Sequence, residues 1–149
     1  PYNRMVIEES MRLYPPAWVV VRMPLADDVI GGFRIPAGSS VFLSSYLTHR
    51  HPEFWENPEG FDPECFTPER SAGRPRFAYF PFGGGPRMCI GNNFALMEAQ
   101  LLLATITQRF RLDLVPGHPV ATRPMVTLRT RYGMKMRPVI RTSTSGATE

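Results

Sequence analysis

The chain has 149 residues, 43% of them hydrophobic, which suits one core of ordinary size and excludes a disordered polypeptide. Two cysteines exclude a disulfide framework, and no apolar run reaches the roughly 18 residues that cross a bilayer. The net charge of +4 hides an asymmetry, with five arginines against ten acids in residues 1–69 and twelve bases against three acids in 70–149, but no nucleic-acid motif accompanies the basic half.

From the start, residues 2–14 carry an amphipathic helical pattern that Pro15-Pro16 stops. Ala17 to Arg22 contains the β-branched run Val19-Val20-Val21 and reads as a strand. Val29-Ile30, Gly31-Gly32 and Phe33-Arg34-Ile35 form a hairpin signal. Ser40 to Ser44 suggests another strand, and Tyr46 to Arg50 a short helix. From His51 to Phe80 the chain is rich in proline, aromatic and charged residues without a period, so an ordered, irregular meander is expected. Asn92 to Phe110 is the strongest helix, and its apolar face is wide enough to predict a central position. Beyond Pro116, runs over 125–129 and 132–137 predict a terminal hairpin. Residues 142–149 are small and polar and predict a disordered tail after a unit spanning 1–141.

Two constellations carry chemistry. In Phe82-Gly83-Gly84-Gly85-Pro86-Arg87-Met88-Cys89-Ile90-Gly91, a single cysteine follows a glycine-rich turn and precedes the long helix. A thiolate that ligates haem iron must hold its negative charge away from water. Gly83, Gly85 and Gly91 are expected to take positive φ and turn amide N–H groups toward the sulfur, where the start of the helix adds its positive end. Phe82 is expected to shield the sulfur, and Arg87 to offer a planar fork to a haem propionate. A phosphate loop is the weaker reading, because no Gly-Lys-Ser/Thr closes the glycine run. The second constellation is Glu9 and Arg12, three residues apart on one helical face; by itself it reads as an exposed helix pair.

Together these residues resemble the cytochrome P450 family: the cysteine loop, Glu9-Ser10-Met11-Arg12 with Cys89 77 positions after Arg12, and Phe77-Ala78-Tyr79-Phe80-Pro81, Trp55, Pro58 and Phe61 between them. The resemblance runs from about residue 4 to residue 137 and looks most like bacterial members. It implies the C-terminal part of that fold, mainly α with small β-sheets (α+β). It also implies haem b (iron protoporphyrin IX), with Cys89 as axial ligand and catalytic residue and Arg22 as a second propionate ligand. Ala95 would pack beneath the haem, and His49 would lie near its edge. Val19, Val20, Val21, Met125 and Val126 would face the substrate cavity, though ordinary core packing suits them equally. Glu9 and Arg12 become a buried structural pair. The family completes that pair with an arginine in a Pro-Glu-Arg-Phe segment, where this chain has Pro63-Glu64-Cys65-Phe66; Arg70 is the candidate replacement.

The implied function is a haem-thiolate monooxygenase that takes O2 and two electrons and inserts one oxygen atom into a small apolar organic substrate. Alternatives are a haem-thiolate isomerase or peroxygenase, or a catalytically inactive haem-binding fragment. Electrons would come from a ferredoxin or flavoprotein reductase, docked on a basic face that includes Arg70, Arg74 and Arg76. The chain reads as a piece of something longer, lacking the oxygen-activating helix that the family carries upstream. A bacterial parent would be cytoplasmic, with an anchor before Pro1 left open.

Overall fold

The computed structural model describes residues 1–141, and the predicted tail lies outside them. Helix α1 (Tyr2–Leu13) ends at Tyr14, which leaves helical geometry at φ −131° and ψ 64°, immediately before Pro15, whose ring disfavours a helical backbone there. Four short strands follow: β1 (Val20–Arg22), β2 (Asp28–Ile30), β3 (Phe33–Ile35) and β4 (Val41–Leu43). β2 and β3 pair as the expected hairpin, with Gly31 and Gly32 both at positive φ in the turn. β1 pairs antiparallel with β4 in the register Val20–Leu43 to Arg22–Val41.

Helix α2 (Ser45–Thr48) opens on Ser44, whose side chain accepts the Leu47 N–H. The meander is irregular as expected but contains two 3₁₀ turns, Pro63–Phe66 and Arg76–Ala78, and the single-turn helix α3 (Pro68–Ser71). Asp62 and Thr67 cap the first turn and α3 with their side chains, so the prolines at the next positions begin turns rather than break them.

Helix α4 (Asn92–Arg109) is where predicted, but its expected burial is not found: none of its 18 residues is buried. It packs on α1 and runs into β5, while Phe94, Met97, Leu101, Leu102 and Ile106 remain exposed. A helix apolar on all sides needs neighbours on all sides, and the described residues supply them on one.

The predicted terminal hairpin is also corrected. Two antiparallel pairs are nested: β5 (Phe110–Leu114) with β8 (Met136–Ile140), and between them β6 (Thr122–Pro124) with β7 (Leu128–Thr130). Residues 125–127 are a turn and 132–135 a connection, because the pairing follows the outer register rather than the two apolar runs.

The core is small and unusually polar. Leu13, Trp55, Cys65 and Ala78 are its buried apolar residues, and Glu9, Arg12, Ser45 and His49 are buried with them. It lies where α1 meets the meander.

Candidate functional site

The Cys89 loop is shaped by its backbone. Gly83 and Gly85 lie at φ 73° and 70°, in the region that L side chains avoid. Gly91 does not: it takes φ −88° as the cap of α4, so its expected positive φ is corrected. A Cβ at Gly91 would sit 3.9 Å from Cys89 Sγ, an ordinary contact distance, so the cap residue lies beside the sulfur. Gly84 has a role the glycine pattern did not assign. Its φ of −162° is ordinary, but a Cβ there would meet the Phe77 ring at 2.6 Å.

The Phe80 carbonyl accepts the Gly83 N–H at 2.9 Å, and a 3₁₀ turn over Gly85–Arg87 closes with Met88 N–H on the Gly85 carbonyl at 3.1 Å. Cys89 N–H donates to the Phe82 carbonyl at 3.0 Å, which brings Phe82 alongside the cysteine. Cys89 is a free, exposed thiol three residues before α4 begins at Asn92.

One cleft of about 270 Å³ is lined by Arg22, Phe82, Gly83, Arg87 and Cys89, together with Val20 and Met11. A neighbouring cleft of about 570 Å³ shares Val20, Arg22 and Gly83 and adds Phe42, Phe80 and Gly85. A thiol, two guanidiniums and an apolar wall therefore line two clefts that share Val20, Arg22 and Gly83. That donor set fits an iron porphyrin: a sulfur for the metal, planar cations for two carboxylates, and apolar surface for the ring.

Other predicted residues stand outside the lining. Ala95 is half-buried on α4, its N–H on the Gly91 carbonyl at 2.9 Å. Val19 is half-buried, while Val21, Met125 and Val126 are exposed. The turn carrying Met125 and Val126 is nonetheless tied to the segment before β1. Trp18 Nε1 donates to the Met125 carbonyl at 2.8 Å, and Leu128 N–H to the Pro16 carbonyl at 2.9 Å. Both clefts omit His49, which is fully buried in the core instead.

The Glu9–Arg12 pair is no exposed helix pair; the two side chains are 0% and 1% accessible. Arg12 Nε and Nη2 donate to the two Glu9 oxygens at 2.6 and 2.7 Å. The same guanidinium donates to the carbonyls of His49 (2.9 Å), Pro58 (2.7 Å) and Gly60 (2.8 Å). One side chain thus fastens α1 to three points of the downstream chain, which is how a buried charge offsets its desolvation.

Glu9 is not left short of partners by Cys65. It accepts Asp62 N–H at 2.8 Å, and Cys65 Sγ lies 3.4 Å from its Oε2. Burial and the adjacent carboxylate push the Cys65 thiol up to about 12, so it stays protonated and donates. Arg70 does not replace the expected arginine: it is exposed and pairs with Asp62 (2.7 Å) and Glu56 (3.2 Å). Arg74 comes closer. Its guanidinium stacks over Trp55 at 4.0 Å and Nη2 donates to the Cys65 carbonyl at 2.8 Å. A cavity of about 340 Å³ remains, lined by Glu9, Trp55, Asp62, Cys65 and Arg74 among others. These commitments also thin the basic patch: of Arg70, Arg74 and Arg76, the first is neutralised and the second is held by Trp55.

Among the described residues, no helix is long and apolar enough to cross a membrane. The family model described as Cytochrome P450 matches residues 1–136. The chain is 42% identical over 137 residues to cyclooctatin synthase of Streptomyces melanosporofaciens, covering 92% of this chain and 30% of that protein. It is 45% identical over 116 residues to cyclooctat-9-en-7-ol 5-monooxygenase of the same organism, covering 78% and 25%. Among solved structures, cyanobacterial CYP120A1 with retinoic acid bound superposes with a TM-score of 0.87 at 34% identity, over 93% of this chain and 33% of that one. The chain therefore spans about 30% of the length of the curated relatives it matches.

Proposed function

The chain belongs to the cytochrome P450 family, and on that premise we propose that it is the haem-ligating part of a haem-thiolate monooxygenase, with Cys89 as the axial ligand of haem b. The observation that carries this reading is the convergence of Cys89, Arg87, Arg22, Phe82 and Gly83 on one cleft from segments some 60 residues apart in sequence. When bound, the iron porphyrin supplies the reduction of O2 that puts one oxygen atom into an organic substrate.

This chain's own residues hold and tune the site. Cys89 would supply the thiolate, with Phe82 beside it in the lining of the same cleft. Helix α4 begins at Asn92, three residues beyond Cys89, so the positive end of its dipole lies near the loop that bears the sulfur. Arg22 and Arg87, on the same cleft, would hold the two propionates. Val20, Phe42, Phe77 and Phe80 supply apolar surface, consistent with a small apolar substrate and with a relative named as a cyclooctat-9-en-7-ol 5-monooxygenase. An electron-donor protein completes the system, and the bacterial relatives support a cytoplasmic setting for the parent. The exposed face of α4 is then the surface that the rest of the parent covers.

The test is the optical spectrum of the haem-loaded full-length protein, reduced under carbon monoxide, beside Cys89→Ser. A red-shifted thiolate-type Soret band in the parent, lost in the serine variant, is expected. A haem-loaded parent without that band overturns the ligation.

A further inference from the structure

We infer that His49 is a positioning residue for the Cys89 loop, coupling the buried Glu9–Arg12 pair to the backbone that presents the thiol. The inference rests on the proposed ligation by Cys89 for its functional meaning, but its structural content does not. His49 has no accessible surface, and its two ends face different parts of the molecule. Its carbonyl accepts Arg12 Nη1 at 2.9 Å, which ties it to the ion pair. Its ring nitrogen Nε2 accepts the Phe80 N–H at 2.9 Å. The Phe80 carbonyl holds Gly83 N–H at 2.9 Å, and the Phe82 carbonyl holds Cys89 N–H at 3.0 Å. An unbroken run of hydrogen bonds and short backbone links therefore leads from Arg12 to the residue that bears the thiol.

The chemistry of the ring makes this link directional. Because Nε2 accepts, the proton of the neutral ring sits on Nδ1. Nδ1 is buried without a hydrogen bond of good geometry among the described residues, facing the Met11 and Arg12 carbonyls. The Tyr79 and Phe80 rings pack against the imidazole at 5.0 and 5.3 Å between centroids. Adding a proton to Nε2 would set it against the Phe80 N–H and turn an acceptor into a donor. Tyr79 anchors the same segment independently, its hydroxyl donating to the Glu8 carbonyl at 3.0 Å, so loss of the His49 link loosens the loop without releasing the meander.

The experiment uses the haem-loaded full-length protein and two variants. His49→Phe removes the acceptor at similar volume; His49→Gln keeps an acceptor at about the reach of Nε2. Two readouts are taken: the share of the thiolate-type band in the reduced, carbon monoxide-bound form, and amide hydrogen exchange at Phe80, Gly83 and Cys89. His49→Phe is expected to lose much of the band and to exchange at these amides about tenfold faster, the scale of one lost hydrogen bond. His49→Gln is expected to stay near the parent. Equal behaviour of both variants and the parent overturns the inference. If the parent itself lacks the band, the ligation reading fails, while the exchange comparison still decides whether His49 fastens the loop.

Should His49→Phe not fold, acidification of the parent makes the same test by protonating the ring in place. The groups facing the ring are Arg12 with its partner Glu9 from α1, Arg50 beyond α2, and Tyr79 from the meander. Burial and the two guanidiniums hold the imidazole down to about 4. Loss of protection at Phe80, Gly83 and Cys89, measured relative to the intrinsic exchange rate at each pH, is expected before the far-ultraviolet helix signal falls. Loss of both at a single midpoint overturns the coupling.

Discussion

The two constellations of this molecule are built on opposite plans. Around Glu9 and Arg12, side chains do the holding: the carboxylate and guanidinium are shut from solvent, and Arg12 reaches three carbonyls more than 35 residues away. Around Cys89, the backbone does the holding: two left-handed glycines and three amide–carbonyl bonds shape an exposed loop whose reactive atom has no side-chain partner among the described residues. The difference fits the tasks proposed for the two sites. A ligand atom must be presented to a group that arrives from outside, so its loop stays open and is shaped from within. A fastening pair can be closed from water where, as here, enough hydrogen bonds are supplied to offset its desolvation.

If this contrast is right, the largest loss of stability should come from the buried pair. Arg12→Ala leaves the Glu9 carboxylate buried beside a void and three carbonyls without their donor. The expected cost is about 3–5 kcal/mol, measured by urea denaturation of the full-length protein. A loss comparable to an exposed ion pair, below about 1 kcal/mol, would break the comparison.

Acid should act next, and through the core rather than the surface. His49 is held at about 4 in the fold against an ordinary value of 6.5, with burial the main cause. The unfolded chain therefore binds its proton first. The contribution of His49 is complete above pH 6.5 and is lost as pH falls toward 4, by roughly 3 kcal/mol across that window. Denaturation midpoints at pH 7 and pH 4.5 measure it, and His49→Gln should flatten the difference. An equal slope in both proteins would assign the acid sensitivity to other groups.

Much of this was legible in the sequence where the determinant is local. Pro15-Pro16 ends α1, Gly31-Gly32 turns the β2–β3 hairpin, and Gly83 and Gly85 take the positive φ their loop requires. What escaped depends on partners distant in the chain. The β5–β8 pairing joins residues up to 30 apart, from Phe110 to Ile140, and no two-residue period announces it. His49 looks like any isolated histidine until Phe80, 31 residues on, is brought to its ring. Arg74 is one of several arginines near the meander, and only the fold selects it over Arg70 by laying it on Trp55. Gly84 was hidden among its neighbours; the ring of Phe77 gives it a reason that no turn signal could.

The smallest effect tests how complete the buried pair already is. Cys65 leaves a cavity of about 340 Å³ beside Glu9, bordered also by Asp62. Cys65→Arg would put a guanidinium into that space, where a charge-assisted hydrogen bond to Glu9 replaces one from a thiol. Against this stand the rotamer entropy of a long side chain, about 2 kcal/mol, and repulsion from Arg74, which already lies over Trp55. A net gain of about 1 kcal/mol is expected, seen as a rise of roughly 1–3 °C in the melting temperature. The double variant Cys65→Arg with Arg74→Gln should gain more, because the competing cation is gone while Gln retains a donor for the residue-65 carbonyl. If both variants melt at or below the parent temperature, Arg74 and the Cys65 thiol already complete the pair, and this chain has reached the same closure by a different set of side chains.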